Sequence, residues 1–100
     1  MAFDIEFTKT AADHIRGLKA FDQRIILHGI EEQLSREPTK ETRNRKRLGD
    51  NELSDWEIRI QDFRVFYDVE VHEDRQIVRI KAAGYKKHNK LFIGGKEVQL

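Results

Sequence analysis

The sequence predicts an α+β domain in which two N-terminal helices pack on one face of a mainly antiparallel sheet, in the order β-α-α-β-β-β with room for a terminal hairpin. Three observations carry that prediction. Apolar residues recur at helical spacing between Ala11 and Leu34. From Trp56 they alternate with polar residues instead, the period of a half-buried strand. The only proline, Pro38, separates the two regimes and stops the helical one.

The elements follow in order. Phe3, Ile5 and Phe7 alternate with Asp4, Glu6 and Thr8, which reads as a first strand. Thr8 or Thr10 can cap the helix after it, because a hydroxyl accepts from the free N–H groups of a first turn. That helix runs to about Leu18, with Ala11, Ile15 and Leu18 on one side. A second helix spans about Phe21 to Arg36, with Ile26, Ile30 and Leu34 on its apolar side and Leu27 beside them. Gly17 and Gly29 allow the two helices to approach closely, or simply weaken them. Residues 39–51 form a polar, basic connection.

Then WEIRIQDFRVFYDV, Trp56 to Val69, folds about Gln61-Asp62 into two strands. Trp56, Ile58 and Ile60 share a face with Phe63, Val65, Tyr67, Val69 and Val71, and after a turn near Glu73-Asp74 Val78, Ile80 and Ala82 continue it. A slip of one residue would turn this core outward, so the register is fixed. Ile60 pairs with Phe63, Arg59 with Arg64 and Glu57 with Phe66; in the next pair Val69 meets Val78, Asp68 meets Arg79 and Phe66 meets Lys81. The Gly94-Gly95 pair in LFIGGKEV suits a small terminal hairpin.

The 100 residues suffice for one domain, spanning 1–100, and not for two. At 38% hydrophobic and 37% charged the chain is globular, with a modest core and one sheet face left wet. No stretch approaches the roughly 18–20 apolar residues of a membrane span. The start, MAFDIEF, has neither a basic nor an apolar leader region. There is no cysteine, which excludes disulfides and thiolate metal sites. A cytoplasmic location and no membrane association are expected.

A net charge of +1 hides two basic segments. Residues 41–47, ETRNRKR, hold four basic groups against one acid, and residues 79–90, RIKAAGYKKHNK, hold five and no acid. Both segments flank the Arg59/Arg64 end of the open face, where the pairing leaves surplus positive charge around an exposed Phe66. Like charges opposite each other in a strand pair are unfavourable. Two readings account for them here. Both side chains splay into water at a cost of tenths of a kcal/mol, or a polyanion or carboxylate-rich partner completes them. Clustered cations match phosphates, Arg adds forked hydrogen bonds, and an aromatic among them can stack on a base. On that second reading Arg43, Arg45, Lys46, Arg47, Lys81, Lys87 and Phe66 contact the polyanion, which the resemblance given below implies is RNA.

His14 and His28 fall on helices and His72 at a turn, as ordinary surface or boundary residues; His88 adjoins the basic patch, where an imidazole can move a proton near neutral pH. No spacing among His, Asp and Glu points to a metal site. No glycine-rich phosphate loop precedes a helix, no serine sits in a nucleophile elbow, and no cofactor is expected.

FTKTAADHI, the helix pair, RKRL, WEIRIQDFRVFYDV and IKAAGYKKHNKLF occur in an order that resembles the RelE/ParE superfamily of bacterial toxin–antitoxin toxins across nearly the whole chain. The resemblance implies two activities. RelE-like members enter the ribosomal A site and cleave messenger RNA without a metal. The ribose 2′-hydroxyl attacks the adjacent phosphate, basic side chains stabilise the developing charge, and an acid protonates the leaving oxygen. ParE-like members inhibit DNA gyrase. An antitoxin that wraps the toxin neutralises both.

By the same resemblance, Arg64 matches the family arginine after the hairpin turn and Arg59 a basic position of the preceding strand. Lys86 falls near a family arginine after the last strand. Glu57 stands where nuclease members have a basic residue, and Phe92 where many have a tyrosine. His88 then supplies the proton transfer. The expected catalytic set is Arg64, Arg59, Lys86 and His88, in a ribosome-dependent endoribonuclease. A gyrase inhibitor and a non-toxic antitoxin-binding member are the alternatives.

Overall fold

Thr8 starts the first helix as expected: its hydroxyl accepts from the Ala11 N–H at 3.1 Å. The computed structural model describes residues 3–100; Met1 and Ala2 lie outside them. Strand β1 (Asp4–Phe7) leads into α1 (Lys9–Arg16) and α2 (Ala20–Leu34). Then come β2 (Arg45–Arg47), β3 (Trp56–Ile60), β4 (Phe63–Val71), β5 (Gln76–Lys87), β6 (Lys90–Ile93) and β7 (Lys96–Val98). The described residues form a seven-stranded sheet in the order β2-β3-β4-β5-β6-β7, with β1 parallel to the first part of β5 and every other pair antiparallel.

The helices cover one face. Ala11, Ile15, Ile26, Ile30 and Leu34 bury against Ile58, Ile60, Val65, Tyr67, Val78 and Ile80. Leu27, read as part of that side, is exposed, and so is Phe7. Gly29 brings α2 close to the sheet rather than to α1: a Cβ there would lie 2.8 Å from Ile60. Gly17 has no such role; it caps α1 in ordinary right-handed backbone.

Tyr67, fully buried and stacked on Trp56, donates its hydroxyl to the Pro38 carbonyl at 2.6 Å. Burial raises its pKa, so it stays a neutral donor. Pro38 thus anchors the connection that it also begins. Replacing Tyr67 with Phe leaves that carbonyl without its partner, and urea denaturation is expected to show a loss of about 1–2 kcal/mol.

The β3–β4 register is the expected one, Arg59 opposite Arg64 included. The next pair departs from expectation at one point. A bulge follows Phe66, which pairs with Ala82 rather than Lys81, while Tyr67 pairs with Ile80. One extra residue reverses the side-chain alternation beyond it. Ala83, not Ala82, therefore joins the helix-side core, and Ala82 turns to the other face.

That other face is not left fully wet. β5 continues into β6 through a two-residue turn at His88-Asn89, and β6 into β7 through Gly94-Gly95. All four residues have positive φ, between 53° and 81°, as tight hairpin turns of this kind require. The first turn is not foreseen; the second is. Leu91 and Ile93 of β6 bury against Phe66 and Ala82 as a second small core, flanked by Leu48, Leu53 and Val98.

Candidate functional site

The basic connection hides a strand. β2 pairs with β3, and the Asn44 carbonyl extends the ladder by accepting from the Arg59 N–H at 2.7 Å. Along a strand, alternate side chains take opposite faces. Lys46, beside Glu57, faces away from the helices. Arg45 and Arg47 face toward them.

Arg45 is 9% exposed, and its guanidinium donates to the carbonyls of Gln33 at 2.8 Å, Glu37 and Lys40. Gln33 lies in the last turn of α2, whose carbonyls have no partner within the helix. Arg45 is therefore a capping residue for α2, and the expectation that it contacts RNA does not hold. Arg47 lies over the Trp56 ring, 5.8 Å from its centroid, while Arg43 is exposed at the tip of the turn before β2.

Phe66 corrects a second expectation. It is 0% exposed beneath β6, so it offers no face to a base. Lys81, displaced by the bulge, lies 4.0 Å from Asp68. Arg79 is opposite Asp68 in the register as expected, but its side chain forms ion pairs with Glu70 at 2.7 Å and Glu6 at 3.2 Å. Hydrogen bonds from Arg79 and then His72 hold the Glu70 carboxyl down to about 2. This end of the sheet is internally neutralised.

The opposite end keeps its positive charge. Arg59 is exposed; Arg64 is 7% exposed, and its Nη1 donates to the carbonyls of Gln61 at 3.1 Å and Phe63 at 3.0 Å. Its Nε and Nη2 make no hydrogen bond among the described residues. Burial lowers its pKa, with the charge of Arg59 adding to the effect and those of Glu57 and Asp62 opposing it. The Lys86 N–H donates to the Asp62 carbonyl at 2.8 Å, which ties the β5–β6 hairpin to the turn between Arg59 and Arg64.

Beside this end the curled sheet encloses an open cleft of about 720 Å³. Lys46 and Glu57 line one wall, Lys86, Asn89 and Lys90 another, and Glu97 and Val98 of β7 a third. Lys87 and His88 are exposed next to it, on the hairpin that supplies Lys86 and Asn89. Of the cleft residues, sequence reasoning places only Lys46 and Lys86 in the site; the charged ones it leaves out are Asp50, Glu57, Lys90 and Glu97. Lys90 is legible in the basic run, and Glu57 in the strand pairing as the acid nearest Arg59 and Arg64.

The remaining histidines are ordinary surface or boundary residues, each with a partner of its own. His14 Nδ1 accepts from the Ala83 N–H at 3.3 Å, and burial lowers its pKa; His28 lies 2.8 Å from Glu32 and His72 lies 3.2 Å from Glu70. Among the described residues no group of three or more His, Cys, Asp or Glu is placed to hold a metal ion, and no helix is long and apolar enough to cross a membrane.

Residues 5–84 match the family model described as the ParE toxin of the type II toxin–antitoxin system parDE. The chain belongs to that toxin family. Its fold matches that of a solved structure, the toxin–antitoxin complex RelBE2 from Mycobacterium tuberculosis. The match has a TM-score of 0.71 and 21% identity, and covers 86% of this chain and 100% of the matched one. No curated protein matches the sequence. In this ParE-family toxin the family match covers the helices and the sheet as far as Gly84, so the β5–β6 turn and β7, which complete the cleft, lie beyond it.

Proposed function

We propose that this toxin is a ribosome-dependent, metal-independent messenger-RNA endoribonuclease that blocks translation in the cytoplasm and is restrained by a cognate antitoxin. The observation that supports the reading is the exposed Arg59 opposite Arg64, whose Nε and Nη2 make no hydrogen bond among the described residues; neither lines the cleft of about 720 Å³, where Lys46, Lys86 and Lys90 are balanced by Asp50, Glu57 and Glu97. In this reading Arg59 and the unpaired side of the Arg64 guanidinium clamp the scissile phosphate, since a planar fork suits a phosphate. Lys86 neutralises the charge that builds on phosphorus, and His88 gives a proton to the leaving oxygen. Arg43, Lys46 and Lys87 hold the backbone on either side by charge. The antitoxin is inferred from the family and from the solved relative, itself a toxin–antitoxin complex.

Ribosomes programmed with a defined messenger RNA, mapped by primer extension, test this. Wild type is expected to cut in the A site, and Arg64→Ala to cut about 10²-fold more slowly or worse. Intact RNA in every lane, with folded protein, overturns the reading.

A second reading has its own support. The family model is that of ParE toxins, whose resemblance implies gyrase inhibition, and half of the Arg64 fork is already held by carbonyls of its own hairpin. Gyrase-dependent breaks in plasmid DNA, with messenger RNA left whole, support it. Antitoxin binding without growth arrest supports a non-toxic member instead.

A further inference from the structure

The outer face of α2 carries charges that its own helix does not explain. Arg24 lies toward the N-terminal end, while Glu31 and Glu32 lie in the last turn, which holds no basic residue. The helix macrodipole favours the reverse polarity, with acids at the start and bases at the end. Glu32 has an answer in His28, 2.8 Å away. Arg24 and Glu31 are both exposed, and neither forms an ion pair among the described residues. Seven residues apart, they share one side of the helix but stand about 10 Å from each other along its axis, too far to meet. Phe21 and Leu27 are on the same side, 64% and 43% exposed, whereas Ile26, Ile30 and Leu34 turn inward. A single exposed apolar side chain is ordinary. Here the stripe runs apolar, cation, apolar, anion over residues 21, 24, 27 and 31.

We propose that this stripe is the contact through which two copies of the chain pair, their α2 helices antiparallel about a two-fold axis near Leu27. Such an axis sets Arg24 of each copy against Glu31 of the other, so the ion pair forms twice, with the two Leu27 side chains between. Phe21 of each copy then lies over the last turn of the other helix. Opposed macrodipole ends come side by side. An acidic partner would answer Arg24 alone and a basic one Glu31 alone; a second copy answers both. The stripe faces away from the sheet that α2 covers, so pairing leaves Arg59 and Arg64 open, and the inference does not depend on the nuclease reading. A contact of about three helical turns falls short of the roughly 1,200 Å² of a stable interface, so a weak dimer is expected, with a Kd of about 10–100 µM.

Sedimentation equilibrium of the full chain, from about 5 to 500 µM, tests this. The mass is expected to rise with concentration from monomer toward dimer. Leu27→Asp sets two carboxylates against each other at the axis and is expected to stay monomeric throughout. Arg24→Glu and Glu31→Arg each put like charges opposite one another, and each is expected to weaken pairing about tenfold. The combined Arg24→Glu/Glu31→Arg variant exchanges the two charges and is expected to restore pairing. These positions are exposed and the exchange agrees with the macrodipole, so circular dichroism melts are expected to show every variant folded. A wild type that is monomeric at all concentrations overturns the inference. Pairing unchanged in Leu27→Asp also overturns it, because the contact then lies elsewhere. So does a folded charge-exchange variant that fails to pair. If Leu27→Asp does not fold, the charge exchange decides alone. A monomeric wild type whose antitoxin binding is lost in Leu27→Asp gives the face to the antitoxin and overturns the inference as well.

Discussion

Replacing Gly84 with Ala is expected to destabilise the protein by about 3 kcal/mol, the upper part of the range for overpacked sites. A Cβ at this position would lie 2.1 Å from the Phe92 carbonyl oxygen and 2.9 Å from Ile93 Cγ1. The first contact is with backbone, which no rotamer change can clear. Alanine in an extended strand would otherwise gain about 0.5–1 kcal/mol by narrowing the unfolded ensemble, so the clash decides the sign. Gly84 pairs with Arg64 on one side and Ile93 on the other. The backbone must yield where β6 crosses, and Lys86, His88 and Lys90 move with it. Urea denaturation gives the stability change, and on the nuclease proposal slower ribosome-dependent cutting is expected alongside it. Gly49→Ala is the control: a Cβ there meets nothing within 4 Å, and the expected change is within about 0.5 kcal/mol. Gly29 lies between, because its neighbour Ile60 is a side chain that can turn aside.

Replacing Arg45 with Ala is expected to lower stability by about 2–4 kcal/mol, since it removes charge-assisted bonds to carbonyls and leaves those carbonyls unsatisfied. Three carbonyls depend on its guanidinium, those of Gln33, Glu37 and Lys40. They span the end of α2 and the whole turn around Pro38, which a water-filled gap would hold less firmly. Lysine is no substitute, because a single ammonium cannot reproduce the fork. The Arg45 Nε has no partner of its own, so the side chain is held by its terminal nitrogens alone. Chemical denaturation measures the loss, and proteolysis between residues 34 and 44 reports whether the connection has opened. A salt-dependent loss of RNA affinity with unchanged stability would instead return Arg45 to the surface role that its neighbours in the basic run propose.

Both predictions concern positions at which local pattern misleads. In ETRNRKR the run of charge hides a period of two, because only the pairing of β2 with β3 separates the faces. Arg45 turns inward, Arg47 lies over Trp56, and Lys46 alone enters the cleft. In the same way Phe66 alternates as an open-face residue, and it does face away from the helices. It is nonetheless buried, because β6 folds back over it through a turn at His88-Asn89 that contains no glycine. Glycine and Asn-Gly are the strongest signals for such turns, and their absence left that hairpin unread.

The sequence by itself determined the two helices and the Thr8 cap of the first, the register of β3 on β4, the terminal hairpin and the opposition of Arg59 and Arg64. Each follows from contacts a few residues apart: a hydroxyl on a nearby N–H, an apolar stripe of fixed period, a two-residue turn. Only the tertiary structure decided which charges are buried, where the bulge reverses β5, and that Glu57 belongs to the same cleft as Lys46, Lys86 and Lys90. Those outcomes depend on the curl of the sheet and on strands far apart in the chain. Spacing along the chain does not encode the solvation of a charged group, which depends on what the rest of the fold brings beside it.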